Sequence, residues 1–102
     1  MNKLNEKKLK SLKVASKQIT ACIAELTWLN HCYSCSKELL LTYVEDKKLF
    51  KCKLVAGDMI KHHKKMSKLN FKLDRILCNA YLEPAYVKLI RDSLIELGLN
   101  HH

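Results

Sequence analysis

The chain has 102 residues, is 48% hydrophobic and 28% charged, and carries a net charge of +9. This balance favours one small folded domain over a disordered tail or a membrane bundle. Two glycines and one proline are too few for the turns of β-sandwiches and barrels or for glycine-rich nucleotide loops. We therefore predict a single all-α domain over residues 1–102, with residues 100–102 as a flexible tail that is either native or derived from a tag.

The first helix is predicted by a mostly apolar stripe, with Ser16 as its polar member, that recurs at alternating steps of three and four over residues 9–26. We expect one long N-terminal helix from about Leu4 to Leu29. The segment 30–36 is uncharged and rich in residues of neutral helix propensity. It is either a short connection to a second helix over residues 35–45 or a soft stretch of one long helix.

Polar residues and a glycine divide the next part of the chain. Asp46 is expected to cap a third helix, in which Gly57 and Asp58 form either an interior stretch or a break. Ser67 and Asn70 predict a short turn at the end of that helix.

A fourth helix is predicted over residues 73–81 and ends before Pro84, because the residue preceding a proline avoids helical geometry. Pro84 then begins the last helix at its favoured first-turn position, and Gly98 closes it. The complete pattern predicts a small antiparallel bundle of four to five helices.

Five cysteines form an odd, scattered set, which predicts reduced thiols in a cytoplasmic protein rather than a secreted disulfide framework. His31, Cys32 and Cys35 are the candidate metal ligands, because a Cys-x-x-Cys pair has the spacing of a zinc site and soft Cu(I) also binds thiolates. The sequence indicates no other cofactor. It contains no run of 18 uncharged apolar residues, so we expect no membrane partner.

Basic residues concentrate in residues 47–75, which hold ten cations and two acids, and 17 of the 19 basic residues of the chain are lysines. Such a surface either contacts the phosphate backbone of a polyanion or is an ordinary solvated face. Base readout is not indicated, because arginines are few and no aromatic stacking pair accompanies the run. The candidate contacts are Lys61, Lys64, Lys65, Lys68, Lys72 and Arg75.

Catalysis is not indicated, because the sequence shows no paired carboxylates, no nucleotide loop and no small-molecule site. The preferred hypothesis is a non-enzymatic interaction protein (a regulator, adaptor, chaperone or inhibitor) that docks on a macromolecular partner. A nucleic-acid-binding protein is the alternative, and a metal-binding bundle is the second alternative. A homodimer or a protein partner is expected to cover the apolar stripe of the first helix, whose candidate residues are Leu9, Leu12, Ile19, Ile23 and Leu26.

Overall fold

The computed structural model describes residues 3–78 and 81–99, and the side chains from Glu6 onward. This part of the chain is all-helical, as predicted, and contains three helices: α1 over Lys3–Glu45, α2 over Leu49–Leu77 and α3 over Pro84–Glu96. The predicted bundle of four to five helices is therefore wrong. The protein is a hairpin of two long helices with a short third helix against one end, and it measures 67 × 20 × 17 Å.

The long N-terminal helix is confirmed and extends 16 residues further than its predicted end, because α1 continues through residues 30–36 to Glu45. Each residue of that stretch costs a fraction of a kcal/mol in helix propensity, and none is a breaker. Tyr33, near its middle, packs against the hydrophobic core. Tertiary packing thus outweighs weak local propensity, and the stretch is part of one long helix.

α2 is also continuous, so Gly57 and Asp58 form an interior stretch of the helix, and the predicted turn at Ser67 and Asn70 is wrong. The helix passes through Gly57 without a break, and Asp58 caps nothing. No turn forms at Ser67 and Asn70, because the Asn70 side chain is buried and donates a hydrogen bond of 3.1 Å to the carbonyl of Leu99. Asn70 therefore does not end the helix, and its buried side chain instead connects α2 to the segment that follows α3.

The connection between α1 and α2 is a Schellman motif. The amide of Lys47 donates to the carbonyl of Val44 (3.1 Å), and the amide of Lys48 donates to the carbonyl of Tyr43 (2.9 Å). Lys47 has a φ of 56°, the left-handed region that glycine normally occupies here. The predicted cap is wrong, because the residue preceding α2 is Lys48 rather than Asp46 and no side chain caps the helix.

The end of the chain matches the sequence prediction more closely. Pro84 is in the first turn of α3 after an extended Glu83, and Gly98 follows the helix with a φ of 67°. The amide of Leu99 donates to the carbonyl of Leu94 at 2.9 Å, which completes a second Schellman motif. The predicted fourth helix does not form as such, because α2 extends to Leu77, and the predicted residues 79, 80 and 100–102 lie outside the described part.

The core occupies only one half of the hairpin. Residues 19–29 of α1 pack on residues 66–77 of α2, and α3 closes this half with Leu94. The other half, near the connection, buries only Val55 among its large apolar residues. We call residues 39–54 the apolar tip. Its exposed large apolar side chains are Leu39, Leu41, Val44, Leu49, Phe50 and Leu54.

No helix in the described residues is both long enough and apolar enough to cross a bilayer.

Candidate functional site

The six basic residues singled out in the sequence lie on one side of α2. At about 100° per residue they fall within an arc of about 100°, and the first and last are about 21 Å apart along the helix axis. All six side chains are exposed, whereas Met66, Asn70, Leu73 and Leu77 of the same helix are buried on the opposite side. We call this surface the basic face. It consists of Lys61, Lys64, Lys65, Lys68, Lys72 and Arg75.

The charge of the basic face is not neutralised within the described part of the chain. No Asp or Glu occurs between Asp58 and Asp74. The one ion pair among the described residues joins Arg91 of α3 to Asp74 at 2.8 Å and includes no residue of the basic face. The acidic residues near the end of α1 therefore do not balance these lysines through direct ion pairs.

A groove of about 710 Å³ adjoins the C-terminal end of the basic face, where residues 10–18 of α1 lie opposite residues 72–78 of α2. Lys10 from α1 and two members of the basic face, Lys72 and Arg75, line it, and none of its lining residues is acidic. Burial raises the pKa of the nearby Cys22 thiol, and the positive charge of Lys72 acts in the opposite direction. The positive surface thus extends from α2 onto α1.

Phe71 is the functional candidate that sequence reasoning missed. Its side chain is 66% exposed, and it is the only large apolar side chain exposed within residues 61–75. It lies three residues after Lys68 and four before Arg75, so it is a surface neighbour of both. No aromatic stacking pair accompanies the lysines in the sequence, but the spacing of Phe71 from Lys68 and Arg75 could have placed this single ring beside the basic face.

Much of the apolar stripe proposed for docking is buried by contacts within the chain itself. Ile19 and Leu26 are 2% and 0% exposed and belong to the core. Ile23 is partly buried against that core, Leu12 is half-buried, and Leu9 is 48% exposed. α2 therefore already covers the middle of this stripe, and its buried residues are not available to a second chain.

The proposed metal ligands are brought together only in part. The Cys35 Sγ lies 3.6 Å from the His31 Nε2, one helical turn apart on an exposed face. A structural zinc ion needs four ligands, but the described residues hold no group of three or more His, Cys, Asp or Glu side chains placed to bind an ion. Cys32 is half-buried, and all five cysteines are free thiols.

No protein-family model matches the chain, and no curated protein or solved structure shows significant similarity to it. Interpretation of the site therefore depends on the geometry and chemistry of its own residues.

Proposed function

We propose that this chain is a non-enzymatic interaction protein that docks the basic face of α2 on the phosphate backbone of a nucleic acid. One observation carries the proposal: six exposed cations share one side of a helix, with no acid on that side over residues 61–75 and no ion pair to them within the described residues. A merely solvated helix face usually mixes both signs of charge. A face of one sign attracts a polyanion and its counterions.

Backbone binding has a measurable signature. Each phosphate that is neutralised releases counterions, so the logarithm of affinity falls with the logarithm of salt concentration by about 0.9 per contact on a duplex and about 0.7 on a single strand. Six contacts then give roughly a 300- to 2,000-fold loss of affinity between 50 and 200 mM salt. Little sequence preference is expected, because lysines carry point charges and form no bidentate contact with base edges.

The test is a fluorescence anisotropy titration of labelled oligonucleotides at several salt concentrations. Replacing Lys64, Lys65 and Lys68 with Ala leaves three contacts, so the loss of affinity over the same salt range should fall to about 20- to 40-fold. The matched control replaces Lys8, Lys37 and Lys88, which are exposed on α1 and α3 outside residues 10–18, and should leave the slope nearly unchanged. Absence of binding at 50 mM salt, or equal slopes for both triple variants, would refute the proposal.

A second candidate function, docking of a protein partner or a second copy, is favoured by the apolar tip. Leu49 and Phe50 are 76% and 73% exposed at its end. The chain exposes 7807 Å², whereas a compact monomer of this mass exposes roughly 6,000 Å². The difference exceeds the ~800 Å² that each partner contributes to a standard interface. The shape therefore leaves enough surface for another chain.

Sedimentation at micromolar concentration tests self-association, and a mass near 24 kDa would indicate a dimer of the 11.9 kDa chain. Replacing Leu49 and Phe50 with Asp should then return the protein to a monomer, while Leu89→Asp, an exposed position on α3, should not. Capture from the native host with and without nuclease separates a protein partner from a nucleic acid. A monomer that captures protein only through nuclease-sensitive material would contradict this second candidate.

A further inference from the structure

We infer that the nucleic acid held by the basic face is single-stranded and that the Phe71 ring stacks on one of its bases; this inference rests on the proposed function. Phe71 is 66% exposed at the edge of a row of cations. The ring does not belong to the hydrophobic core, and it carries no charge with which to bind a phosphate. A ring between backbone-binding cations is typical of proteins that bind single strands, in which the bases are free to stack.

The position of the ring suits this role. Lys68 and Arg75 lie one turn to either side of Phe71 on the helix surface, so phosphates on both sides of a stacked base would meet a cation. In a duplex the faces of the bases are covered by their neighbours, and the same ring would meet only the sugar-phosphate edge. Phe71 therefore favours one form of the nucleic acid, whereas the lysines bind both forms.

The groove beside the basic face gives independent support. It lies between two packed helices and is lined by Lys10 on one side and by Lys72 and Arg75 on the other. Its lining also includes the apolar side chains of Val14 and Ile76. Cations from both helices together with apolar lining suit a single strand, whose phosphates can contact the cations while an unpaired base contacts the apolar side chains.

The experiment compares one labelled strand, alone and annealed to its complement, by anisotropy at a fixed low salt concentration. The single strand should bind more tightly. Phe71→Leu should weaken single-strand binding by about 5- to 150-fold, the usual effect of removing one stacking ring, and should barely change duplex binding. Trp28→Leu is the matched control, because Trp28 is 65% exposed on α1 away from the basic face, and it should change neither affinity.

A direct readout comes from a variant with Trp28→Phe and Phe71→Trp, whose single indole should be quenched when a base stacks on it. Equal affinity for both forms, together with no effect of Phe71→Leu, would overturn the inference and leave the proposed function intact. Tighter binding to the duplex would also overturn it. Absence of binding to either form would overturn both. Circular dichroism of each variant checks that the helices are retained.

Discussion

Replacing Lys68 with Glu is expected to stabilise the free protein while weakening its binding to nucleic acid. Lys68 has Lys64 and Lys72 four residues away and Lys65 three residues away, and these are its neighbours on the helix surface. The wild-type chain thus holds three like-charge pairs around one position. The substitution converts these three repulsive pairs into three attractive pairs.

The size of the effect follows from measured helix pairs. Each like-charge pair costs about 0.2–0.5 kcal/mol and each opposite pair gains a similar amount, so reversing three pairs sums to about 1–3 kcal/mol. All these side chains are exposed, and screening by solvent and salt reduces the sum to about 1 kcal/mol. For a domain of this size that raises the melting temperature by about 4–8 °C. The gain should shrink as salt is added.

Thermal melting followed by circular dichroism, together with the anisotropy titration, measures both effects. Lys68→Gln is the control, because it removes the repulsion without adding attraction and should give about half of the stabilisation. Binding should fall by about tenfold or more in the Glu variant at low salt, because one phosphate contact is lost and replaced by a repulsion. If Lys68→Glu lowers the melting temperature, the lysines of the basic face are already balanced by the fold, and the reasoning from their repulsion is refuted.

Three further predictions concern particular residues. Gly57→Ala should raise the free energy of unfolding by about 0.5–1 kcal/mol, because a Cβ at this helical position meets no atom within 4 Å. Gly98→Ala should lower the free energy of unfolding by about 1–2 kcal/mol, because Gly98 has a φ of 67°. Urea unfolding measures both changes, and changes of the same sign would contradict these backbone conformations. Lys47→Gly should stabilise the hairpin by up to about 1 kcal/mol, since Lys47 has a φ of 56°, and Lys47→Ala, which keeps the left-handed strain, should not. Cys22 should be alkylated more slowly than Cys35 and Cys78 at pH 8, because burial raises the pKa of its thiol and so lowers its thiolate fraction; equal rates by mass spectrometry would show that Cys22 is not protected.

The helical class, the start of α3 and the end of α3 could be predicted from the sequence because each depends on local chemistry. Pro84 fixes its own φ near the helical value, and Gly98 can adopt a positive φ without steric cost, and the structure uses both properties. The number of helices could not be predicted in the same way. Whether Gly57 or the pair Ser67 and Asn70 interrupts a helix depends on what lies across the hairpin, and that is a tertiary property.

Asn70 illustrates the difference. In the sequence it reads as a turn residue, because Asn competes locally for backbone hydrogen bonds. In the structure its partner is the carbonyl of Leu99, 29 positions away, which no local pattern reveals. The lysines of the basic face were identified from the sequence, but their arrangement on one side required the helix to be continuous. In a continuous helix, residues three and four positions apart lie on the same side, and α2 therefore places these lysines on one face.

The basic face lies on the best-packed part of the molecule, and this bears on how it can bind. Met66 and Leu73, on the opposite side of the same turns of α2, are 0% and 1% exposed and pack against α1. A surface backed by such packing loses little conformational freedom on binding, because only its long side chains have to be ordered. The apolar tip lacks this support, because Val55 is the only large apolar side chain that is buried in that half of the hairpin. A ligand of the basic face should therefore leave the fold unchanged, whereas a partner at the tip would add the core that this half of the hairpin lacks and raise its stability.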